Sequence, residues 1–180
     1  MDVFIDANAV LDAAKRVSEI PAKIALSQRR ALGTLRRRWP VIARRDIQTE
    51  YALSAQRIRA GISVRTTREG VELIGVARGV GLMNFSVRKV AEGLTYSARR
   101  GTRGLRRSGF KTRYRGTPIA YERTPISGDK RVPRTPIQRL YGPSLAQMLR
   151  KGDRPERMAQ AGLDVITAEI DRLLLRSLRR

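Results

Sequence analysis

The chain's 180 residues are 41% hydrophobic, enough for one domain with a real core and too few for two full-sized ones. Cysteine and histidine are both absent, which excludes disulfides, thiolate metal sites, cysteine nucleophiles, the commonest general base and the usual zinc ligand. Lysine and arginine number 38 against 16 acidic residues; a formal charge of +22 repels itself in a compact monomer and implies a partner of opposite sign.

Carboxylates, lysines and hydroxyls remain for chemistry, and Asp6, Asn8 and Asp12 come nearest to a magnesium site. Their spacing puts Asp6 and Asp12 on different helix faces and lacks an EF-hand's glycine and glutamate, so helix capping explains them better. The expectation is a non-enzyme with no catalytic residue, metal or cofactor. No apolar run approaches the roughly 20 residues that span a bilayer, and Asp2 and Asp6 stand where a signal peptide carries positive charge. A chain on the cytoplasmic side, with no membrane partner, is expected.

In chain order, residues 1–61 read as helical. Asp6 caps a segment in which Ala7, Val10, Leu11, Ala14 and Val17 recur at helical spacing, and Pro21 suits the first turn of a second helix. The second helix carries an apolar stripe of Ile24, Ala31, Leu32, Leu35, Trp39 and Ile42, with Arg29, Arg30, Arg36, Arg37, Arg44 and Arg45 opposite. Pro40 predicts a kink or restart near Trp39. Thr49 then reads as the N-cap of a third helix through Tyr51, Ala55, Ile58 and Ile62, with Gly61 as its stop.

Residues 62–142 change period. Ile62 and Val64 alternate with polar residues, Thr67 to Gly70 reads as a turn, and Val71 to Ala77 as a strand, hence a β-hairpin. Gly75, Gly79 and Gly81 match neither the dinucleotide nor the Walker pattern and read as turns or bulges. Between Ala98 and Gly116 the apolar content collapses, leaving Arg99, Arg100, Arg103, Arg106, Arg107, Lys111, Arg113 and Arg115 among Gly101, Gly104 and Gly109. That composition predicts a mobile basic loop over 99–116, the candidate surface for DNA or an acidic partner. Thr117 to Arg123 is a strand, and Ser127 to Pro136 a proline-bearing connection.

Residues 143–180 return to helix. Pro143 and Ser144 open a short turn over Leu145, Met148 and Leu149 that Gly152 ends. Asp153-Arg154-Pro155-Glu156 is a capping box before the stripe Ala159, Leu163, Ile166, Ile170, Leu173 and Leu174, widened by Val165, Leu175 and Leu178. Altogether the chain 1–180 is expected to be a single α+β domain: a helical N-terminal region, a small mostly antiparallel sheet with an arginine-rich loop, and a long amphipathic C-terminal helix.

Several short motifs stand in a definite order: Thr49-Glu50-Tyr51, Arg57-Ile58, Asn84-Phe85, Gly93-Leu94-Thr95-Tyr96, Gly109-Phe110-Lys111, Tyr121-Glu122-Arg123, Thr135-Pro136-Ile137 and Leu140-Tyr141-Gly142-Pro143-Ser144. In that order they resemble the bacteriophage minor tail protein Z family, the lambda-like tail completion proteins, over roughly residues 20–180. The chain departs from the family in having Gly109-Phe110, and later Ile119-Ala120, where members commonly carry Ala-Phe before an arginine-bearing strand. The resemblance implies a structural role at the head-proximal end of a phage or prophage tail, in a virion neck assembled in the bacterial cytoplasm. It further implies a homo-oligomer, a hexameric ring, meeting tail terminator, tail tube or head-tail connector proteins and phage DNA in the channel.

A second class is also open: a general nucleic-acid-binding protein of ribosomal or nucleoid type, supported by charge, although aromatics are only 5% and no nucleic-acid-binding motif is present. An amphipathic membrane binder would rest on the end Leu175 to Arg180, but Asp164, Glu169 and Asp171 on the polar face oppose anionic lipid.

Overall fold

The computed structural model describes residues 3–6, 21–67, 70–123 and 136–178. Its architecture is α+β, with one long helix near each end and small antiparallel sheets between them. The first described element is a strand, β1 (Val3–Asp6), whose last residue, Asp6, pairs with Gly70 at the edge of a sheet. The helix expected over Ala7 to Val17, and the candidate ligands Asn8 and Asp12, lie outside the described residues.

Helix α1 (Pro21–Glu50) begins at the proline, whose fixed φ suits a first helical turn. Ala31, Leu35, Trp39, Ala43 and Ile47 follow one another at four-residue spacing and are fully buried, so tertiary burial rather than propensity holds this helix. That burial also explains why α1 does not restart near Trp39 but runs through Pro40. A proline removes one backbone hydrogen bond, and the apolar contacts of Trp39 and Ala43 on either side offset the loss. Trp39 is further pinned by its indole N–H, which donates to the Met158 carbonyl at 2.8 Å.

Thr49 is not an N-cap. It sits in the last turn of α1 and donates its hydroxyl to the Asp46 carbonyl at 2.7 Å. The chain leaves the helix at Tyr51, and Ser54 caps the short helix α2 (Ala55–Arg59) by accepting from the Arg57 N–H. The expected hairpin is present as β2 (Ile62–Thr66) and β3 (Gly70–Gly75), in register Val64 to Leu73, with Thr67 closing the turn on Gly70. Val71 and Leu73 point into the core as their alternation predicts. Strand β1 lies on the other edge of β3.

The remaining strands form three more small sheets: β4 (Gly79–Gly81) with β11 (Tyr141–Ser144); β5 (Arg88–Val90), β6 (Gly93–Tyr96) and β7 (Gly104–Arg106); and β8 (Gly109–Tyr114), β9 (Thr117–Arg123) and β10 (Ile137–Arg139). A 3-10 turn, Leu82–Asn84, follows β4. Gly75 and Gly79 serve close approach rather than turning: a Cβ at Gly75 would lie 2.8 Å from the Ala146 backbone nitrogen, and one at Gly79 2.9 Å from Tyr141.

The segment 99–116 is not a mobile loop. It supplies β7 to one sheet and β8 to another, and strand pairing gives its backbone the partners that its side chains cannot provide by burial. Its anchors, Leu94 on β6 and Ala120 on β9, belong to neighbouring strands and are both buried.

Ser144 caps helix α3 (Leu145–Leu149) in a full capping box with Gln147, and Gly152 takes positive φ before α4 (Arg154–Leu178). Met158, Ile166 and Leu173 carry the buried stripe of α4, which packs along α1. Leu175, in the widened part of the stripe, is exposed.

Candidate functional site

The eight cations of the basic segment divide into tethers and exposed groups. Arg99 forms a β-bridge with Tyr51 and brings its Nε to 3.4 Å from Glu50 Oε1. Arg100 donates its backbone N–H to the Glu50 carbonyl and its Nε to the Gln48 carbonyl, each at 2.7 Å. Those carbonyls end α1, where a helix leaves acceptors unpaired and favours positive charge, so Arg100 acts as a C-terminal cap. Arg103 donates to the Thr95 hydroxyl at 3.2 Å, and Arg106 lies 3.8 Å from a Glu122 oxygen.

Arg107, Lys111, Arg113 and Arg115 are exposed and have no carboxylate partner among the described residues. They sit on or beside the β8–β9 hairpin, whose loop is Arg115-Gly116 between paired Tyr114 and Thr117. Both loop residues have positive φ, as a type I′ turn requires. Strand β8 is an edge of its sheet, so Lys111 and Arg113 project from a border with no neighbouring strand among the described residues.

The register of β8 with β9 sets Phe110 opposite Tyr121, Thr112 opposite Ile119 and Tyr114 opposite Thr117, all on one face. The rings of Phe110 and Tyr121 are stacked with centroids 6.0 Å apart, Arg123 lies 5.2 Å over Phe110, and Arg115 lies 5.5 Å over Tyr114. This aromatic and arginine face was missed by the sequence reading. Its signal is the alternation of ring and cation through Phe110, Lys111, Thr112, Arg113 and Tyr114, legible only once the segment is taken as a strand.

Two open clefts adjoin this region. One, of about 410 Å3, lies between the end of α1, the β6–β7 connection and β11 and is lined by Tyr51, Tyr96, Tyr141, Arg99 and Arg103 among others. The second, of about 420 Å3, lies where the β5–β6 and β7–β8 turns meet and is lined by Lys89, Arg107, Lys111 and Arg123, together with Glu92. Tyr141's phenol is pulled below its ordinary pKa by a hydrogen bond from Arg78, with the positive charge of Arg139 adding to the effect.

The half-buried carboxylates are occupied within the fold. Arg154, 3% exposed, reaches Asp46 through Nε, Glu50 through Nη2 at 3.1 Å and the Met148 carbonyl through Nη1 at 2.5 Å. Lys151 joins Glu50, and Arg157 joins both Asp46 and Asp153. Glu72 pairs with Arg65, Glu122 with Arg106, and Glu169 with Arg172. Arg172 holds the Glu169 carboxyl below its usual range, and Arg157 does the same for Asp153. Among the described residues no group of three or more acidic side chains could hold a metal ion, and no helix is long and apolar enough to cross a membrane. The surface can therefore bind anions and flat rings through cations, hydroxyls and aromatic faces.

No protein-family model, curated protein or solved structure matches the chain.

Proposed function

We propose that the chain is a structural assembly protein of a phage or prophage tail, one subunit of a ring that completes the head-proximal end of the tail for head-tail joining and DNA positioning. The observation that carries the reading is the segregation of charge. The half-buried carboxylates are neutralised inside the fold, while Arg107, Lys111, Arg113 and Arg115, on or beside one hairpin, have no carboxylate partner among the described residues. A surface of that kind wants an anionic neighbour, either DNA in a channel or the acidic side of a tail-tube, terminator or connector subunit. The ordered motifs from Thr49 to Ser144 support the tail assignment, and a hexameric ring follows from the same resemblance.

The proposal is tested by disrupting the gene in the phage or prophage that carries it and imaging the lysate. Filled heads and detached tails are expected, with joining restored by the native gene. Infectious particles at normal yield from the disrupted phage would overturn the assignment.

A second reading, a nucleic-acid-binding protein of ribosomal or nucleoid type, is favoured by the aromatic and arginine face of β8 and β9, since rings on an open sheet suit base stacking. It predicts binding to random DNA or RNA that weakens steeply with salt, and normal head-tail joining without the gene.

A further inference from the structure

We propose that the cleft between the end of α1, the β6–β7 connection and β11 is a binding site for a nucleotide, a planar base carrying a phosphate monoester. The inference stands on the cleft's own geometry and is independent of the tail assignment. Its polar side chains are the hydroxyls of Tyr51, Tyr96, Tyr141 and Thr102 and the guanidinium groups of Arg99 and Arg103, and no acidic residue lines it. A lining rich in donors and free of carboxylates selects a negatively charged ligand.

Tyr51 gives the sharpest indication. It is 3% exposed and lines the cleft, yet its hydroxyl makes no hydrogen bond among the described residues. Nor is that hydroxyl sealed in the protein: Arg44 Nε is the one unpaired side-chain atom that is fully enclosed among the described residues. A hydroxyl that is open to the cleft can both donate to and accept from whatever enters it. Lys151 Nζ and the Arg154 guanidinium, both paired with Glu50, each lie 5.8 Å from the Tyr51 ring centroid and hold the ring in place.

The two arginines are only partly used. Arg103 uses Nη1 on Thr95, and Arg99 brings Nε to 3.4 Å from Glu50; a guanidinium offers five N–H donors, so each can also face a phosphate. Flat surfaces complete the site. The Tyr96 ring is seated over Gly104, where a Cβ would fall 2.6 Å from it, and Tyr141 is held by Arg78 and by Arg139, 5.2 Å over its ring. Such rings, with Pro143 beside them, offer stacking to any base. At about 410 Å3 the cleft is of small-ligand size.

The test is calorimetric titration of the full chain, at physiological salt, with adenosine monophosphate, adenosine and inorganic phosphate. Saturable binding of adenosine monophosphate is expected, about tenfold or more tighter than either fragment, because base and phosphate contacts act together. Tyr51→Phe and Arg103→Gln should each weaken it about tenfold, Tyr51→Phe without lowering Tm, while Arg113→Gln, outside the cleft, should leave it unchanged. No saturable binding, or equal losses in all three variants, would overturn the proposal. Displacement by a short single strand then identifies the source. A strand that competes only when 5′-phosphorylated supports a strand end as ligand, and competition by neither strand supports a free nucleotide. Equal competition by both strands overturns the site in favour of general attraction to the backbone.

Discussion

Arg154, at the start of α4 and against α1, has three oxygen partners and almost no contact with water, whereas Arg113, on β8, is exposed and has no carboxylate partner among the described residues. The seam and the hairpin therefore put the same residue type to opposite uses. In the seam, the buried Arg154 is satisfied by half-buried Asp46 and Glu50 and by the Met148 carbonyl of α3, because a charge taken from water must have its hydrogen bonds replaced. On the hairpin, a short edge strand buries so little that its cations keep their hydration, and their charge stays available to a partner. Stability and interaction are thus separated in space, and each can be perturbed without the other.

The largest effect should come from Arg154→Met, which leaves Asp46 and Glu50 without their central partner. A loss of about 3–5 kcal/mol in urea denaturation is expected, and a loss as small as that of a surface arginine would break the contrast between seam and hairpin. Gly142→Ala comes next. A Cβ there would fall 2.4 Å from the ring of Phe85, which is fully buried, so about 1–3 kcal/mol should be lost to overpacking.

Acidification should act on the helical half. Asp153 and Glu169 have carboxyl pKa values lowered in the folded chain by Arg157 and Arg172 respectively. A lowered folded value means stability that is complete above the unfolded values, near pH 4, and lost as pH falls through the folded ones. Thermal denaturation across that range should show Tm falling, and Glu169→Gln should flatten part of the slope. The smallest stability effect is expected for Lys111→Gln with Arg113→Gln, within about 0.5 kcal/mol of the parent. Should the hairpin bind polyanions, the same pair should reduce the salt dependence of that binding by about two phosphate contacts, measured by titration at several salt concentrations.

Much of the helical framework was legible in the sequence because helical burial follows a local period. The stripe Ala31, Leu35 and Trp39, the hairpin alternation of Val71 and Leu73, and the Ser144 boundary all follow from neighbours in the chain. Thr49 misled because a threonine before an apolar stripe reads the same whether it opens one helix or sits in the last turn of another. Residues 3–6 misled because β1 takes its conformation from pairing with β3, some 65 residues away in sequence. The basic segment misled because low apolar content says nothing of backbone pairing with distant strands.

The sequence alone determined the excess of positive charge, the absence of cysteine and histidine, and the helix-sheet-helix order, since composition and local periodicity require no neighbours. Tertiary structure alone decided which cations are spent and which remain. Arg99 and Arg100 close on the end of α1, Arg154 is consumed by Asp46 and Glu50, and Lys111 and Arg113 are left without a carboxylate partner among the described residues. An ion pair depends on which distant residues the fold brings within a few ångströms, and no pattern along the chain encodes that distance.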